Sequence, residues 1–526
     1  MRILYKIANK LFRIVKKILK LLTSRMVIIG VALLLEFCWL AGIMMQLNEK
    51  SVYINYAVTI LSLIAVLSII NNPKMNPGYK LMWAVCILAL PVTGICLYGI
   101  LGHSSVARKF RTHYDTVLLS QGGVLGEEEE TRKKLEEENI LAAGQSSYLT
   151  NYAHYPVYVN TETEYYPLGD VWFEHFIEEL KKAEHYIFME YFIISEGYLW
   201  DTVLEILKEK AAGGVDVRVI YDDFGCVTTL PYQYYKSLQQ MGIKCAAFNQ
   251  FRPVLNVILN NRDHRKIAVI DGHTAFTGGI NLADEYINRK ERFGHWKDSG
   301  ICLHGEAVWS FTVMFLQMWS TITGMECNFE SYRPEIYHEE AFKKDGFVQP
   351  YGDSPLDGET VGEHVYLNII SQAKKYLYIF TPYLIPDNET LTALCMAAKR
   401  GVDVRIVTPG IPDKKIVYIL TQANYEILLE SGVQIYQYTP GFIHSKSFVC
   451  DDEVATVGTI NMDYRSMYLH FECGVWMYGS SAVAQVKEDA LTTFEQCEQI
   501  NMDYCRKKNF AVRALRGALK FLAPLL

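Results

Sequence analysis

The sequence predicts an α/β fold of two duplicated lobes that together form one active site, preceded by an N-terminal helical transmembrane region. Three observations predict it. A His-x-Lys-(x)4-Asp pattern occurs at His264, Lys266 and Asp271 and again at His444, Lys446 and Asp451, 180 residues apart. The surroundings repeat as well, since Gly279 and Asn281 follow the first histidine by 15 and 17 residues, and Thr459 and Asn461 follow the second by the same distances. The early part of the chain, by contrast, carries apolar runs near the ~20 residues that a bilayer span requires.

Taken in order, residues 1–25 carry Arg2, Lys6, Lys10, Arg13, Lys16, Lys17, Lys20 and Arg25 among Leu, Ile, Phe and Val, with no acid. This reads as a basic amphipathic segment on an anionic membrane surface. Residues 26–101 hold two or three hydrophobic segments: Met26–Gln46, with Glu36 inside it, Val52–Ile70, and Leu81–Leu101, which contains Pro91, Gly94 and Gly99. No small-residue cleavage site follows the first run, so a cleaved signal peptide is disfavoured. Residues 102–145 form a charged linker, in which Glu127–Glu138 reads as a solvated helix.

The first lobe is expected over 146–335 and the second over 336–505. Strands are expected at Tyr186–Ile194 and Tyr376–Phe380 and helices at Trp200–Ala211 and Glu389–Lys399. Gly214–Arg218 reads Gly-Val-Asp-Val-Arg and recurs unchanged as Gly401–Arg405, which marks an internal duplication. From Gly242 to His264 there are 22 residues, against 12 from Gly432 to His444, so the first copy has a longer loop. Its apolar stretch Phe251–Leu259 is read either as a contact for acyl chains or as ordinary packing. Residues 506–526, with Arg513, Arg516 and Lys520 among Ala, Leu and Phe, form a basic amphipathic tail that rests on a bilayer or packs on the lobes.

The chemistry follows from the repeated triplet. Alternate residues of a strand share a face, so His264 points with Lys266 and His444 with Lys446. Each strand then turns at Asp271-Gly272 or Asp451-Asp452, and its return partner brings Asn281 or Asn461 back beside the histidine. Two such hairpins facing each other gather two imidazoles, two ammonium groups and two carboxamides, a set suited to a phosphodiester. Lysines neutralise phosphoryl oxygens and asparagines donate to the developing charge. One imidazole attacks phosphorus to give a phosphohistidine, and the other protonates the departing alcohol and deprotonates the incoming one. A carboxylate beside each imidazole would fix its tautomer, with Asp271 and Asp451 the expected pair. Glu190, Tyr191 and Tyr383 are read as core or surface residues rather than pocket lining.

Composition agrees with a large enzyme. The chain has 526 residues and a net charge of −7, and taking away the eight positive charges of 1–25 leaves −15 for the remainder, which argues against nucleic acid as a partner. His273, His295, His304 and His470 form no metal-ligand grouping, and there is no phosphate-binding glycine loop and no Ser-centred elbow, so neither metal nor cofactor is expected.

The stretch His444–Leu469 resembles the second motif of the phospholipase D superfamily, and Arg262–Gly272 with Gly278–Asn281 resembles the first. The likeness is strongest to bacterial cardiolipin synthases and covers roughly residues 75–526. It implies two phospholipase D-like lobes and phosphatidyl transfer between two phosphatidylglycerol molecules, giving cardiolipin and releasing glycerol. It also implies that His264 is the nucleophile and His444 the acid/base. Glu472 stands where the superfamily has an acidic site residue, and Asp298 is the substitute in the first half, where Arg292 occupies the equivalent spacing. Gly279 and Thr459 join the substrate-binding set, Thr459 replacing the commoner Ser and Asp263 the commoner Asn.

The alternatives are phospholipase D-type hydrolysis of membrane phospholipids and a non-catalytic scaffold, and the intact motifs speak against the scaffold. A multi-pass cell-membrane protein is expected, embedded in its substrate lipids. The positive-inside rule cannot place Lys74, Lys80, Arg108, Lys109 and Arg111 all on the side of the N-terminus with three full spans. Either the third run is re-entrant or the lobes face outward. The twelve cysteines lack a compact disulfide framework, which favours cytoplasmic lobes. Oligomeric state is left open.

Overall fold

The computed structural model describes residues 30–38, 49–73, 75–99, 105–120, 123–126, 129–250, 261–506 and 510–525. They fall into two compact units, one before Phe110 and one from Phe110 onward. In the first, helices Glu49–Ile70, Pro77–Ala89 and Pro91–Leu97 pack on one another. Glu36, the acid inside the first apolar run, is buried and accepts from the Thr93 N–H at 2.7 Å. That N–H belongs to the first turn of Pro91–Leu97, where no intrahelical acceptor exists.

Among the described residues no helix is long and apolar enough to cross a membrane. This overturns the expected transmembrane region, and with it the membrane-embedded, multi-pass placement on which the cytoplasmic siting of the lobes depends. A span needs ~20 consecutive apolar residues. The Leu81–Leu101 run is cut at Leu90 into helices of 13 and 7 residues, because Pro91 has no N–H to continue the ladder. Most of Met26–Gln46 lies outside the described residues, as do residues 1–25 and the loop Phe251–Leu259.

The second unit holds the duplicated lobes. The first is a seven-stranded mixed sheet in the order Thr161–Tyr166, Gly300–Gly305, Thr274–Gly278, Lys266–Ile270, Tyr186–Tyr191, Asp216–Asp222, Lys244–Phe248. The second runs Phe347–Asp353, His470–Tyr478, Val454–Gly458, Ser447–Cys450, Tyr376–Phe380, Asp403–Pro409, Gln434–Tyr438, Cys497–Ile500. In each, the strand after the Gly-Val-Asp-Val-Arg repeat pairs in parallel with its neighbours, and the motif hairpin pairs antiparallel. Central strands such as Tyr186–Tyr191 and Tyr376–Phe380 are buried along their whole length, which is why they read as continuous apolar runs rather than alternating ones. Gly214 and Gly401 enter the repeated strands at φ +94° and +95°, a left-handed turn that glycine adopts without a Cβ clash.

One stretch differs from expectation, and a second takes one of its two alternatives. Helix Glu129–Glu138 is more than a solvated connector, since Leu135 is fully buried in the core of the second lobe, joined there by Ala142, Ala143 and Leu149 of helix Ile140–Tyr152. The tail helix Phe510–Leu522 packs on the second lobe, with Leu519 against Ile385 and Leu420 and Arg516 Nη2 donating to Gln422 Oε1 at 2.8 Å.

Asp271 and Asp451 tie each motif hairpin to the central strand. Asp271 accepts from the backbone N–H groups of Glu184, His185 and Tyr186, each at 2.8 Å. Asp451 accepts in the same way from Lys374, Lys375 and Tyr376 at 2.6–2.8 Å. Asp451→Ala leaves three buried or half-buried donors without a partner and should lower stability by about 2–4 kcal/mol, read as a fall in the denaturant midpoint. An unchanged midpoint would show that these bonds contribute nothing net.

Candidate active site

The chain just before each motif histidine adds a strand to the opposite lobe. Arg262–Asp263 pairs in parallel with His470–Phe471, and Gly441–Ile443 pairs in parallel with His295–Lys297. The His264 N–H accordingly donates to Phe471 O at 2.9 Å, and the His444 N–H to Lys297 O at 2.7 Å. The next residue on each partner strand is an acid. His264 Nδ1 lies 2.9 and 3.0 Å from the two oxygens of Glu472, and His444 Nδ1 lies 2.7 Å from Asp298 Oδ2. The carboxylates beside the imidazoles are therefore Glu472 and Asp298, each from the other lobe. Asp271 and Asp451, expected there, stand at the far end of their strands, because seven extended residues carry the chain roughly 23 Å away.

The remaining predicted residues surround these pairs. Lys266 Nζ donates to His264 O at 2.5 Å and Lys446 Nζ to His444 O, so an ammonium lies behind each histidine. Asn281 Oδ1 accepts from the Ile193 N–H at 3.0 Å, and its Nδ2 donates to the Tyr286 hydroxyl at 2.7 Å. Asn461 is buried and its Oδ1 has no protein partner among the described residues. Gly279 makes room for Asp298, since a Cβ there would stand 2.0 Å from Asp298 Oδ1. The Thr459 hydroxyl, at the equivalent place, donates to Glu472 Oε2 and so occupies one lone pair of that carboxylate.

Both histidines and both asparagines line one cavity of about 880 Å³. Its walls are aromatic around His444, whose ring lies 5.6 Å from Tyr286, 5.7 Å from Trp296 and 5.8 Å from Phe442. Phe192 and His470 flank His264 at 4.9 and 5.7 Å.

Burial sets the electrostatics. It holds His264 well below its ordinary pKa, with Lys266, His470 and Lys446 adding to the effect. His444 falls to about 4 through burial and Lys446, opposed by Asp298. Lys266 and Lys446 are lowered by burial to about 8 and about 7. The two acids diverge. Burial raises Glu472 to about 8 against the pull of Lys266 and Thr459. Burial would raise Asp298 too, but the charges of His444 and Lys446 outweigh it and hold the carboxylate below its ordinary range. A carboxylate at Nδ1 keeps the imidazole proton there and leaves Nε2 with a free lone pair.

Several lining residues were missed from sequence. Tyr383 lines the cavity and donates to Asp413 Oδ2 at 2.6 Å, whereas Glu190 and Tyr191 are buried in the first lobe. Arg262 and His470 also line it, and strand alternation from His264 and Glu472 would have found both. Tyr286, Arg465 and Asp413 have no such local signal. For metals, Glu363, Asp387 and Glu389 bring carboxylate oxygens within 4.8 Å of one another, away from the cavity lining. Glu363 is raised to about 8 by burial and by Asp387, which is itself lowered, so a proton shared by these two accounts for their contact.

The depressed His444 titration predicts a pH effect on stability. Between about pH 4 and the ordinary value of 6.5, the unfolded chain binds a proton that the folded one excludes. Stability is therefore full above that window and is lost as pH falls through it, by up to about 3 kcal/mol for this group. Melting curves of the wild type should decline more steeply on acidification than those of His444→Gln. Parallel curves would mean that His444 is not held neutral.

Comparison with known proteins places this geometry. The family described as "Cardiolipin synthase, PLD-like domain" matches residues 176–319 and 366–493, one segment in each lobe. "Phospholipase D-nuclease N-terminal" matches residues 60–103. A protein of Streptococcus mutans described as uncharacterized is 43% identical over 475 residues, covering 88% of this chain and 99% of its own. A cardiolipin synthase of Alkalihalophilus pseudofirmus is 34% identical, covering 89% of this chain and 92% of its own. The crystal structure of a phosphatidylserine synthase from Haemophilus influenzae superposes with a TM-score of 0.55 at 16% identity, covering 73% of this chain and 100% of that one, a likeness of fold. With two matched segments that span more than half its length, and relatives of this identity over nearly nine-tenths of it, the chain belongs to the cardiolipin synthase family of the phospholipase D superfamily.

Proposed function

We propose that this protein is a cardiolipin synthase, which moves the phosphatidyl group of one phosphatidylglycerol onto a hydroxyl of another and releases glycerol through a phosphohistidine. The observation that carries the reading is the meeting, in one cavity, of two imidazoles whose Nδ1 atoms are each held by a carboxylate of the opposite lobe. Relatives named cardiolipin synthase over most of the chain support the choice of substrate.

In the first step His264 Nε2 forms a bond to phosphorus, the bond from phosphorus to the glycerol oxygen breaks, and His444 gives that oxygen a proton. The acceptor hydroxyl then attacks phosphorus, His444 takes its proton, and the P–N bond breaks to restore His264. Lys266 and Lys446 oppose the phosphoryl charge, and the two asparagines orient around it. Burial by itself leaves His444 unprotonated, but a bound phosphodiester anion raises its proton affinity, so the acid forms where it is used.

Purified protein incubated with phosphatidylglycerol in detergent micelles should yield cardiolipin and glycerol by mass spectrometry. Phosphatidic acid without cardiolipin would identify a hydrolase instead. His264→Ala and His444→Ala should each reduce turnover by roughly a thousandfold or more, because the pair acts as a unit. His444→Ala should still become phosphatidylated at His264. Label on residue 444 of a His264→Ala variant, with none on residue 264 of the other, would reverse the two roles.

A further inference from the structure

The cavity has two unlike halves. Strand alternation puts Arg262, His264 and Lys266 on one face, while Asp263 and Arg265 turn to the other, where Arg265 Nε bonds Asp263 Oδ1 at 3.1 Å and its Nη2 pairs with Glu190. The cross-lobe register sets Arg262 against His470 and Asp263 against Phe471. One step along the strands from the His264–Glu472 pair, the next pair facing the cavity is therefore Arg262–His470. The corresponding pair beside His444–Asp298 is Phe442–Trp296, whose rings meet at 4.8 Å. The pair beside His264 is thus Arg–His where the pair beside His444 is aromatic.

Among the described residues the cationic side is incompletely paired. Arg262 lies over the Phe224 ring at 4.4 Å, and its Nη1, 3.7 Å from Asp222 Oδ1, has no hydrogen-bond partner among the described residues. Asp222 is occupied by the N–H groups of Phe224, Gly225 and Asp263. His470 is 9% exposed and its Nδ1 is likewise unpartnered among the described residues. Arg465, on helix Tyr464–Tyr468, lines the same cavity, and nearby Asp463 caps that helix through the Ser466 N–H at 2.9 Å. Burial and then Arg465 and Arg262 depress the proton affinity of His470, and burial and then Arg465 depress that of Arg262, against the pull of Asp222. Like charges and unsatisfied donors gathered in a half-buried cavity are costly unless an anion joins them.

We propose that Arg262, Arg465 and His470 form a second phosphate subsite, which holds the phosphodiester of the acceptor lipid while its free hydroxyl reaches the phosphorus bound at His264. This deepens the cardiolipin synthase reading and rests on it. Two residues of strand separate the two pairs, about 7 Å, a span comparable to the glycerol unit that joins the two phosphates of the product. In the step served, the bond from the acceptor oxygen to phosphorus forms, the P–N bond to His264 breaks, and the proton of the hydroxyl passes to His444. A free phosphate monoester offers the same oxygens, so the test distinguishes lipid from soluble sources.

Full-length protein is given phosphatidylglycerol in micelles together with labelled glycerol, so that lipid and glycerol compete for one phosphatidyl-enzyme. The ratio of cardiolipin to labelled phosphatidylglycerol reads the acceptor step alone and cancels any loss of folded protein. Arg262→Gln and Arg465→Gln should each lower that ratio at least about tenfold, the scale of one lost charged hydrogen bond, and Arg465→Lys should retain most of it. Glycerol 3-phosphate, which has the phosphate and no acyl chains, should outcompete glycerol in the wild type and lose that advantage in both glutamine variants. An unchanged ratio in both variants overturns the subsite. So does a wild type that draws no benefit from the phosphate of the soluble acceptor, which would leave acyl chains as the only recognised feature. A wild type that makes phosphatidic acid and no cardiolipin overturns the function itself, before any variant is compared.

Discussion

The site depends on a reciprocal strand exchange between the lobes. Each motif histidine is the residue that follows a short strand donated to the other lobe, and each partner acid is the residue that follows the paired positions on the receiving strand. The imidazole and its carboxylate are thus delivered by two backbones hydrogen-bonded in register, at His264 N to Phe471 O and His444 N to Lys297 O. Neither lobe contains a complete histidine–carboxylate pair. A lobe displaced by one residue of register would move each acid to the opposite face of its strand, so the chemistry and the lobe interface are specified by the same bonds.

Duplication has not produced two equal halves. At the first copy, Gly279 leaves space for the shorter Asp298, which remains a carboxylate under the charges of His444 and Lys446. At the second, Thr459 fills that space and hydrogen-bonds the longer Glu472, which burial raises to about 8. The histidine paired with Asp298 is therefore better able to carry a positive charge, as an acid must. Burial depresses both imidazoles, and the one paired with Glu472 stays neutral, as a nucleophile must. This difference agrees with the assignment of His444 as acid/base and His264 as attacking group.

Much of the fold was legible because its signals are local. The hairpins at Asp271 and Asp451, the repeated strand after Gly214 and Gly401, and the shared face of His264 and Lys266 follow from spacing, with the period of two of a strand. The acids were not legible that way. Glu472 and Asp298 were found only through family likeness, since the contact that makes them partners is between lobes 146 and 208 residues apart in sequence. Asp271 and Asp451 misled because nearness in sequence along a strand is distance in space. Their doubled occurrence reflects a doubled structural need, the tethering of a central strand. The apolar runs misled in another way, because hydropathy counts residues but does not see that Pro91 divides a helix or that Glu36 finds a backbone donor.

Charge balance explains why such a site tolerates so many buried ions. Burial raises Glu472 and lowers both lysines, so Asp298 is the carboxylate that faces Lys266 and Lys446, and neutral imidazoles add nothing. A phosphodiester brings one negative charge into this set, and a single imidazolium offsets it. Binding the correct ligand therefore supplies the free energy to protonate one histidine, and the Asp298 carboxylate directs that charge to His444. A neutral ester of the same shape would occupy the cavity without raising an acid. The preference for an anionic diester is in this sense a property of catalysis as much as of binding, since only the anion brings the general acid into its working form.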